Sequence, residues 1–305
     1  MNGAERTGTE RYEQTIHFLP LRWQRSARAL STEQKCRAEE LRLRAGQPVT
    51  VLIDGREIPL SQELLQPSEL EQLCDTVSGY SRYAVADTMA GGYLIAEGGF
   101  RIGLCGTAVL RDNKSTNLRE ISSAVIRISR EWQNTALPLL PQLWENGTIC
   151  STLLISPPGG GKTTLLRDLI RLISNGTETY QGHRVAVADE RGELAVMYHG
   201  LPQMDVGRHT DVLTGCPKAE AMLLLLRSNN PQVIAVDEIT APADLAAVAA
   251  AANCGVKLLA TVHAGSEREL QGKPLFAELL SMKVFERLIE ITCSEGERTY
   301  RVSAL

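Results

Sequence analysis

Apolar residues in the second half of the chain fall into short continuous runs, whereas those in the first half mostly alternate with polar residues. The continuous runs predict strands buried on both faces, at Leu153–Ile155, Arg184–Asp189, Gln232–Val236 and Val256–Val262. Helical patterns separate these runs, as in Pro217–Arg227 and the alanine-rich segment Ala243–Cys254. Strands that alternate with helices predict an α/β fold with a mostly parallel sheet. A terminal pair of strands is expected at Phe285–Thr292 and Thr299–Val302.

The alternating pattern of the first half is clearest at Glu39–Arg44, where Leu41 and Leu43 share one face of a half-buried strand. Further strands are predicted at Val49–Ile53, Tyr93–Ala96, Phe100–Leu110 and Ala124–Ser129. Helices are expected over Phe18–Leu30 and from Pro67 onwards. Because strands and helices do not alternate regularly here, the first half is predicted to be α+β.

The length of 305 residues exceeds one ordinary domain, so we predict two. A smaller α+β N-terminal domain should occupy residues 1–130, of which we expect residues 1–15 to be disordered. Residues 131–147 are predicted to be a linker, and residues 148–305 to form the α/β domain. An apolar content of 43% is enough to build a core in each.

The composition limits which classes of binding partner and which cellular compartment we expect. A net charge of −4 gives no overall basic field, so no nucleic acid partner is expected. The seven cysteines form no C-x-x-C pair, which is typical of a reducing cytoplasm rather than of a disulfide framework or a zinc site. The chain begins with a polar segment of mixed charge, and its longest apolar run is far below the roughly 20 residues of a membrane span. We therefore expect a cytoplasmic protein without direct membrane insertion that could dock on a membrane complex.

A phosphate-binding pattern follows the first continuous apolar run. It comprises Ser156, Pro157, Pro158, Gly159, Gly160, Gly161, Lys162, Thr163 and Thr164, and we call this segment the phosphate loop. Glycines let backbone N–H groups crowd around phosphate oxygens, and the following helix directs its positive end at the same anion. Lys162 would bind the β- and γ-phosphates of ATP, and Thr163 would offer a hydroxyl to Mg²⁺. Ser156 stands where the usual pattern has glycine, and the alternative interpretation is a glycine-rich turn with a chance Lys-Thr pair.

Polar residues also end three other strands that should lie beside this loop. Asp237 is predicted to hold Mg²⁺, and Glu238 to orient and polarise an attacking water, unless the pair merely caps the next helix. Asp189 and Glu190 form a second acidic pair that would help to align the metal and the water, the alternative being a simple strand-end ion pair with Arg191. His263 could sense the γ-phosphate, although a lone histidine is more often structural.

The N-terminal domain offers arginines rather than a nucleophile or a metal cluster. The candidates are Arg101, Arg127 and Arg130, at or beside predicted strands. An arginine delivered by a neighbouring domain or subunit can stabilise the charge that develops during phosphoryl transfer. The alternative for each is an ordinary arginine that faces water.

The block Leu226–Ile239, followed by Leu259–Ala264, resembles the secretion ATPases of type II and type IV systems and the pilus motors. Those enzymes carry a phosphate loop, an acidic box, a second acidic motif and a histidine box in this order. The chain departs from them at Asp237, where many have glycine, and at Ser156. The resemblance implies a RecA-like P-loop ATPase domain, binding of ATP and Mg²⁺, and a hexameric ring in which arginines of the first domain reach the nucleotide.

A second set of motifs is similar to the family of stage III sporulation protein AA. It consists of Glu40–Pro48, Gly98–Gly106, Ile126–Arg130, Ser156–Asp168, Asp211–Glu220 and Val236–Glu238. The Ser-Pro-Pro opening of the phosphate loop looks like that family's own form. This resemblance implies a mother-cell ATPase of endospore-forming bacteria that energises a channel made of membrane protein subunits.

Together these features predict a Mg²⁺-dependent, ATP-hydrolysing motor of a secretion-type membrane channel complex used in endospore formation. It would be a cytoplasmic homo-oligomer in the mother cell, peripheral to that complex. One alternative is a P-loop ATPase stimulated by nucleic acid, which the acidic chain and the lack of an R-x-x-x-H module disfavour. The other is a nucleotide-dependent assembly scaffold with little turnover, which the presence of Glu238 disfavours.

Overall fold

The computed structural model of the chain describes residues 3–79, 85–111, 114–128, 132–294 and 297–305. It divides into two units. The first contains Met1–Glu131 and Tyr198–Gln203, and the second contains Trp132–Met197 and Met204–Leu305.

Six antiparallel strands form the sheet of the first unit. They are β1 (Ala38–Arg44), β2 (Thr50–Ile53), β3 (Arg56–Pro59), β4 (Tyr93–Ala96), β5 (Phe100–Arg111) and β6 (Lys114–Arg127), in the order β3-β2-β1-β6-β5-β4. The helices of this unit are α1 (Gly3–Ile16), α2 (Leu21–Arg28), α3 (Thr32–Arg37), α4 (Pro67–Val77) and α5 (Ala86–Ala90). Leu41 and Leu43 are fully buried, as their alternation with arginine predicted. Strand β6 is longer than we predicted because its first half is polar and exposed.

The expectation that residues 1–15 are disordered is wrong. Helix α1 covers nearly all of this segment, and Tyr12 and Ile16 on it are fully buried. The hydroxyl of Tyr12 donates to the carbonyl of Ala27 at 3.0 Å. Tyr12, Ile16 and Leu19 follow each other at helical spacing, so a narrow apolar stripe that continues into the turn after α1 anchors a helix that is otherwise mostly polar.

Seven strands form the sheet of the second unit. In spatial order they are β13 (Thr210–Thr214), β10 (Val185–Asp189), β14 (Val233–Val236), β15 (Lys257–His263), β9 (Thr152–Ser156), β16 (Arg287–Ser294) and β17 (Glu297–Ala304). All neighbours are parallel except β16 and β17, which pair antiparallel. The predicted α/β fold with a mostly parallel sheet is therefore confirmed. The hairpins β7 (Trp144–Glu145) with β8 (Thr148–Ile149), and β11 (Met197–Tyr198) with β12 (Leu201–Pro202), complete the described strands.

Helices cover both faces of this sheet. They are α6 (Leu140–Leu143), α7 (Lys162–Asn175), α8 (Lys218–Ser228), α9 (Pro242–Asn253), α10 (Glu267–Gly272) and α11 (Pro274–Ser281). Alternate residues of β9 enter different cores: Leu153 and Ile155 pack with α8, α9 and α11, whereas Leu154 packs with α6 and α7. Strand β9 therefore forms a continuous apolar run because it is buried on both sides. Leu140 and Leu143 are buried in the second of these cores, so that part of the expected linker is packed structure.

Candidate functional site

The phosphate loop joins β9 to α7 as the sequence predicted. All five residues of β9 are buried, and the loop then runs along the surface through Gly159 and Gly161, with φ of +75° and +98°. Helix α7 begins at Lys162 without a side-chain cap, and its first backbone bond is Leu165 N–H donating to Gly161 O. The earlier N–H groups of the helix lack an acceptor within it. The phosphate loop and the first turn of α7 therefore offer backbone N–H donors and the positive end of the helix dipole to an anion.

Ser156 replaces the usual glycine without strain. Its φ is not positive, so no glycine is required there. Its hydroxyl donates to Pro157 O at 2.8 Å and lies where a Cβ on Gly160 would be. A small residue is therefore needed at position 160, and a serine fits at position 156.

Lys162 is buried at the centre of the site. Its ammonium donates to Ser156 O at 2.8 Å, to Pro157 O at 3.1 Å and to His263 Nδ1 at 2.8 Å. Burial lowers the pKa of Lys162, and the nearby carboxylates of Asp237 and Glu238 act in the opposite direction. The lysine is therefore held by two carbonyl groups of its own loop and by His263.

Thr163 and Asp237 are brought together by the fold. The Thr163 hydroxyl donates to Asp237 Oδ2 at 2.8 Å, and the Thr261 hydroxyl donates to Asp237 Oδ1 at 2.6 Å. A hydroxyl and a carboxylate beside a phosphate cradle are hard oxygen donors, which suits Mg²⁺. The donor set therefore fits the predicted metal, and Thr163 and Asp237 are the residues that would hold it.

Glu238 adopts a left-handed backbone conformation, with φ of +60°. Its N–H donates to the Thr261 hydroxyl at 2.8 Å, and its carbonyl accepts from Lys218 Nζ at 2.7 Å. The carboxylate contacts His263 Nε2 at 3.0 Å and an Arg191 guanidinium nitrogen at 2.8 Å. An unfavourable conformation that neighbouring groups hold in place is typical of functional positions.

His263 connects Lys162 with Glu238. Strand register pairs it with Ser156, the last residue of β9. Because a protonated lysine can only donate, Nδ1 of His263 accepts from Lys162, and Nε2 carries the hydrogen that is donated to Glu238. The histidine thus links Lys162, the candidate phosphate-binding residue, to Glu238, the candidate general base.

The two residues of the Asp189-Glu190 pair have different partners. Asp189 is buried and accepts from the backbone N–H groups of residues 193–195, so it organises the loop after β10. Glu190 contacts Lys218, at 3.2 Å from its N–H and 3.5 Å from its Nζ. Lys218 also donates to the Glu238 carbonyl, so Glu190 is connected to the predicted base through Lys218. The ion pair considered between Glu190 and Arg191 does not form, because Arg191 pairs with Glu238.

The candidate arginines belong to the first unit, whereas all contacts above are made by residues of the second. Arg101 is exposed, and its guanidinium lies 4.0 Å from the centre of the Tyr93 ring. Arg127 is also exposed, opposite Glu40 in the β1–β6 ladder. Arg130 lies outside the described residues.

Sequence reasoning missed three residues that shape the site. Thr261 bridges Asp237 and the Glu238 backbone, Lys218 holds the Glu238 carbonyl, and Arg191 pairs with the Glu238 carboxylate. Thr261 could have been found, because a residue two places before His263 on a strand shares its face. Nothing in the local sequence marks Lys218, which reaches the site from the first turn of α8.

A sequence model of the family described as "Sporulation stage III, protein AA" matches residues 9–301. The chain belongs to this family. Stage III sporulation protein AA from Bacillus subtilis (strain 168) is 34% identical over 281 residues, which are 92% of this chain and 91% of that protein. Family membership thus extends through both units and confirms the predicted resemblance.

Solved structures of an ATPase and of a pilus retraction motor share the fold of this family member. The ATPase DotB from Legionella pneumophila superposes with a TM-score of 0.59 and 16% identity, over 93% of this chain and 80% of that one. The pilus retraction motor PilT, solved with bound ADP, superposes with a TM-score of 0.55 and 18% identity, over 88% of this chain and 79% of that one. These likenesses confirm the predicted P-loop ATPase fold. Within the described part of the chain, no helix is both long and apolar enough to pass through a bilayer.

Proposed function

We propose that this protein hydrolyses ATP with Mg²⁺ and drives a membrane channel complex during endospore formation. The observation that carries the proposal is the linked set of polar contacts at the ends of β9, β14 and β15. There Lys162, His263 and Glu238 form a chain of contacts of 2.8 and 3.0 Å beside the phosphate loop. A phosphate cradle joined to a strand-end glutamate supports hydrolysis more than simple nucleotide binding.

ATP would bind with its β- and γ-phosphates against the first turn of α7. Backbone N–H groups of that turn would donate to the phosphate oxygens. Lys162 would exchange its contacts with Ser156 O, Pro157 O and His263 for those oxygens. Mg²⁺, held by Thr163 and Asp237, would neutralise charge on the phosphates.

Glu238 would take a proton from the attacking water. In the structure one carboxylate oxygen contacts Arg191 and the other contacts His263, and each oxygen has a further lone pair that could accept from the water. His263 would lose its Lys162 partner when phosphate binds. The departure of the γ-phosphate would restore that contact, which makes His263 suited to report the state of the nucleotide.

The cellular role rests on the family and on the shared fold. Membership in the stage III sporulation protein AA family supports a role in endospore formation in the mother cell. The fold shared with an ATPase and a pilus retraction motor supports a motor that would work as a homo-oligomeric, hexameric ring on membrane protein subunits. Arg101, Arg127 and Arg130 would reach nucleotide within that ring, and Glu190 would support Glu238 through Lys218.

Two substitutions test the proposal. Lys162→Ala should abolish measurable ATP binding, because it removes the cation at the cradle. Glu238→Gln should bind ATP as the wild type does, yet lose turnover by about 10²–10⁴-fold, the usual contribution of a general base. Binding is measured by calorimetry and turnover by phosphate release with Mg²⁺.

Each contrary result points to a specific alternative. Near wild-type hydrolysis by Glu238→Gln would remove Glu238 as the base. Tight ATP binding by the wild type with negligible steady-state turnover would favour the assembly scaffold. Strong stimulation by single-stranded DNA would favour the nucleic-acid-dependent ATPase.

A further inference from the structure

The C-terminal hairpin brings an arginine to the phosphate loop. Strand β16 lies directly beside β9, and β17 pairs antiparallel with β16. Arg298, near the start of β17, is opposite Cys293 at the end of the hairpin nearest the loop. This hairpin lies on one side of β9, and the strands that end in Asp237 and His263 lie on the other.

The Arg298 side chain occupies the space over Gly161. A Cβ built on Gly161 would lie 2.9 Å from Nε of Arg298, 3.3 Å from Cδ and 3.4 Å from Cζ. A phosphate loop uses glycine where a Cβ would obstruct the approach of phosphate oxygens to the backbone. Gly161 also has a left-handed φ of +98° and caps α7. The guanidinium thus lies where this loop leaves room for an anion.

The charge of Arg298 is not neutralised by a described carboxylate. Among the side chains that the structure describes, none forms an ion pair or hydrogen bond with it. Arg301, three residues further along the same strand, instead binds the carboxylate of Glu290. Within the described part of the chain, the guanidinium donors of Arg298 therefore have no acceptor, whereas Arg301 serves the hairpin itself.

We propose that Arg298 binds the phosphate chain of the nucleotide in its own subunit, on the side nearer the nucleoside. This inference rests on the proposed ATP binding at the phosphate loop. The acidic strand ends and His263 serve the terminal phosphate, since they lie together on one side of β9. A nucleotide that extends away from them passes the hairpin, where the planar guanidinium can bind two phosphate oxygens at once.

The position predicts a specific pattern of affinities. Arg298→Ala should weaken ATP and ADP binding alike, each by about tenfold, which is the scale of one charge-assisted hydrogen bond. ADP is affected equally because the contact involves the phosphates that both nucleotides share. Turnover at saturating ATP should change less than the affinity, because the contact is remote from Glu238.

Calorimetric titration with ATP and with ADP tests this on the full-length chain. Arg298→Lys keeps the charge but loses the planar fork, so its affinities should fall between those of the wild type and Arg298→Ala. Arg301→Ala is the matched control on the same strand and should bind both nucleotides as the wild type does. An unfolding temperature of Arg298→Ala equal to that of the wild type would show that the hairpin is intact.

The inference is overturned if Arg298→Ala binds both nucleotides with unchanged affinity. It is also overturned if that variant binds them more tightly, because Arg298 would then block the loop. Loss of ATP affinity without loss of ADP affinity would place Arg298 on the terminal phosphate and contradict the assignment. In all these cases Lys162→Ala still abolishes binding. If the wild type itself does not bind ATP, the proposed function fails and this inference with it.

Discussion

Glu238 combines an unfavourable backbone conformation with a side chain that we predict to act as the general base. A left-handed conformation costs a residue with a Cβ about 1–2 kcal/mol relative to glycine, yet glycine could not serve as a base. The contacts of Thr261 and Lys218 with its backbone hold the conformation in place. In this conformation the carboxylate contacts His263 and Arg191.

This strain has a measurable signature in stability. Glu238→Gly and Glu238→Ala both remove the carboxylate, but only alanine retains the left-handed strain. The glycine variant should therefore be the more stable of the two, by about 1 kcal/mol after its larger unfolded-state entropy is included. In a unit of this size that difference raises the unfolding temperature by about 2–4 °C.

A helical position supplies the control for this comparison. At Leu224, exposed in the middle of α8, alanine should be more stable than glycine by about 1 kcal/mol, the reverse order. If alanine is also the better residue at position 238, the backbone there is not strained. Both pairs can be compared by calorimetry.

At the scale of elements, α1 is an integral part of the first unit. Tyr12 is fully buried, and its hydroxyl binds Ala27 in the next helix. Tyr12→Ala should destabilise this unit by about 3–5 kcal/mol, because it leaves a large cavity. Tyr12→Phe should cost about 1 kcal/mol, because only the hydrogen bond is lost.

Denaturant unfolding followed by fluorescence of the buried Trp23, which lies in the same core, measures both effects. His17→Ala is the control, since this exposed residue directly follows α1. If Tyr12→Ala unfolds at the same denaturant concentration as the control, α1 does not contribute to the core.

The elements that the sequence predicted well are those with one dominant physical constraint. Strands β9, β14 and β15 could be predicted from the sequence because burial on both faces requires a continuous apolar run. Strand β13 was missed because it lies at the sheet edge, half-exposed, with only Val212 and Leu213 as apolar residues. The same limit applies to the site. The phosphate loop could be predicted because its residues are adjacent in the sequence. Arg298 is brought close to Gly161, and Lys218 close to Glu238, only by the packing of a strand and a helix.

At the scale of the whole molecule, the proposed ring predicts that subunits depend on one another. Glu238→Gln should bind ATP without turning it over, so it can enter a ring as an inactive subunit. When it is mixed with wild-type protein, ATPase activity should fall more steeply than the wild-type fraction, because neighbouring sites share arginines and motion. Phosphate release across a series of mixing ratios measures this.

A variant that cannot bind ATP provides the comparison. Lys162→Ala in the same series shows whether an empty site disturbs its neighbours differently from a filled one. Activity that is proportional to the wild-type fraction in the Glu238→Gln series would mean that each subunit hydrolyses ATP independently. The ring would then not be the functional unit of hydrolysis.

The position of β9 in its sheet has a consequence for biosynthesis. Its two neighbours, β15 and β16, both come later in the chain. The first of them begins roughly 100 residues after β9 ends, which at 5–20 residues per second means about 5–20 s of translation. During that time β9 lacks both of the strands with which it pairs in the folded sheet. The phosphate loop can therefore take the shape seen in the structure only after β15 and β16 have been synthesised.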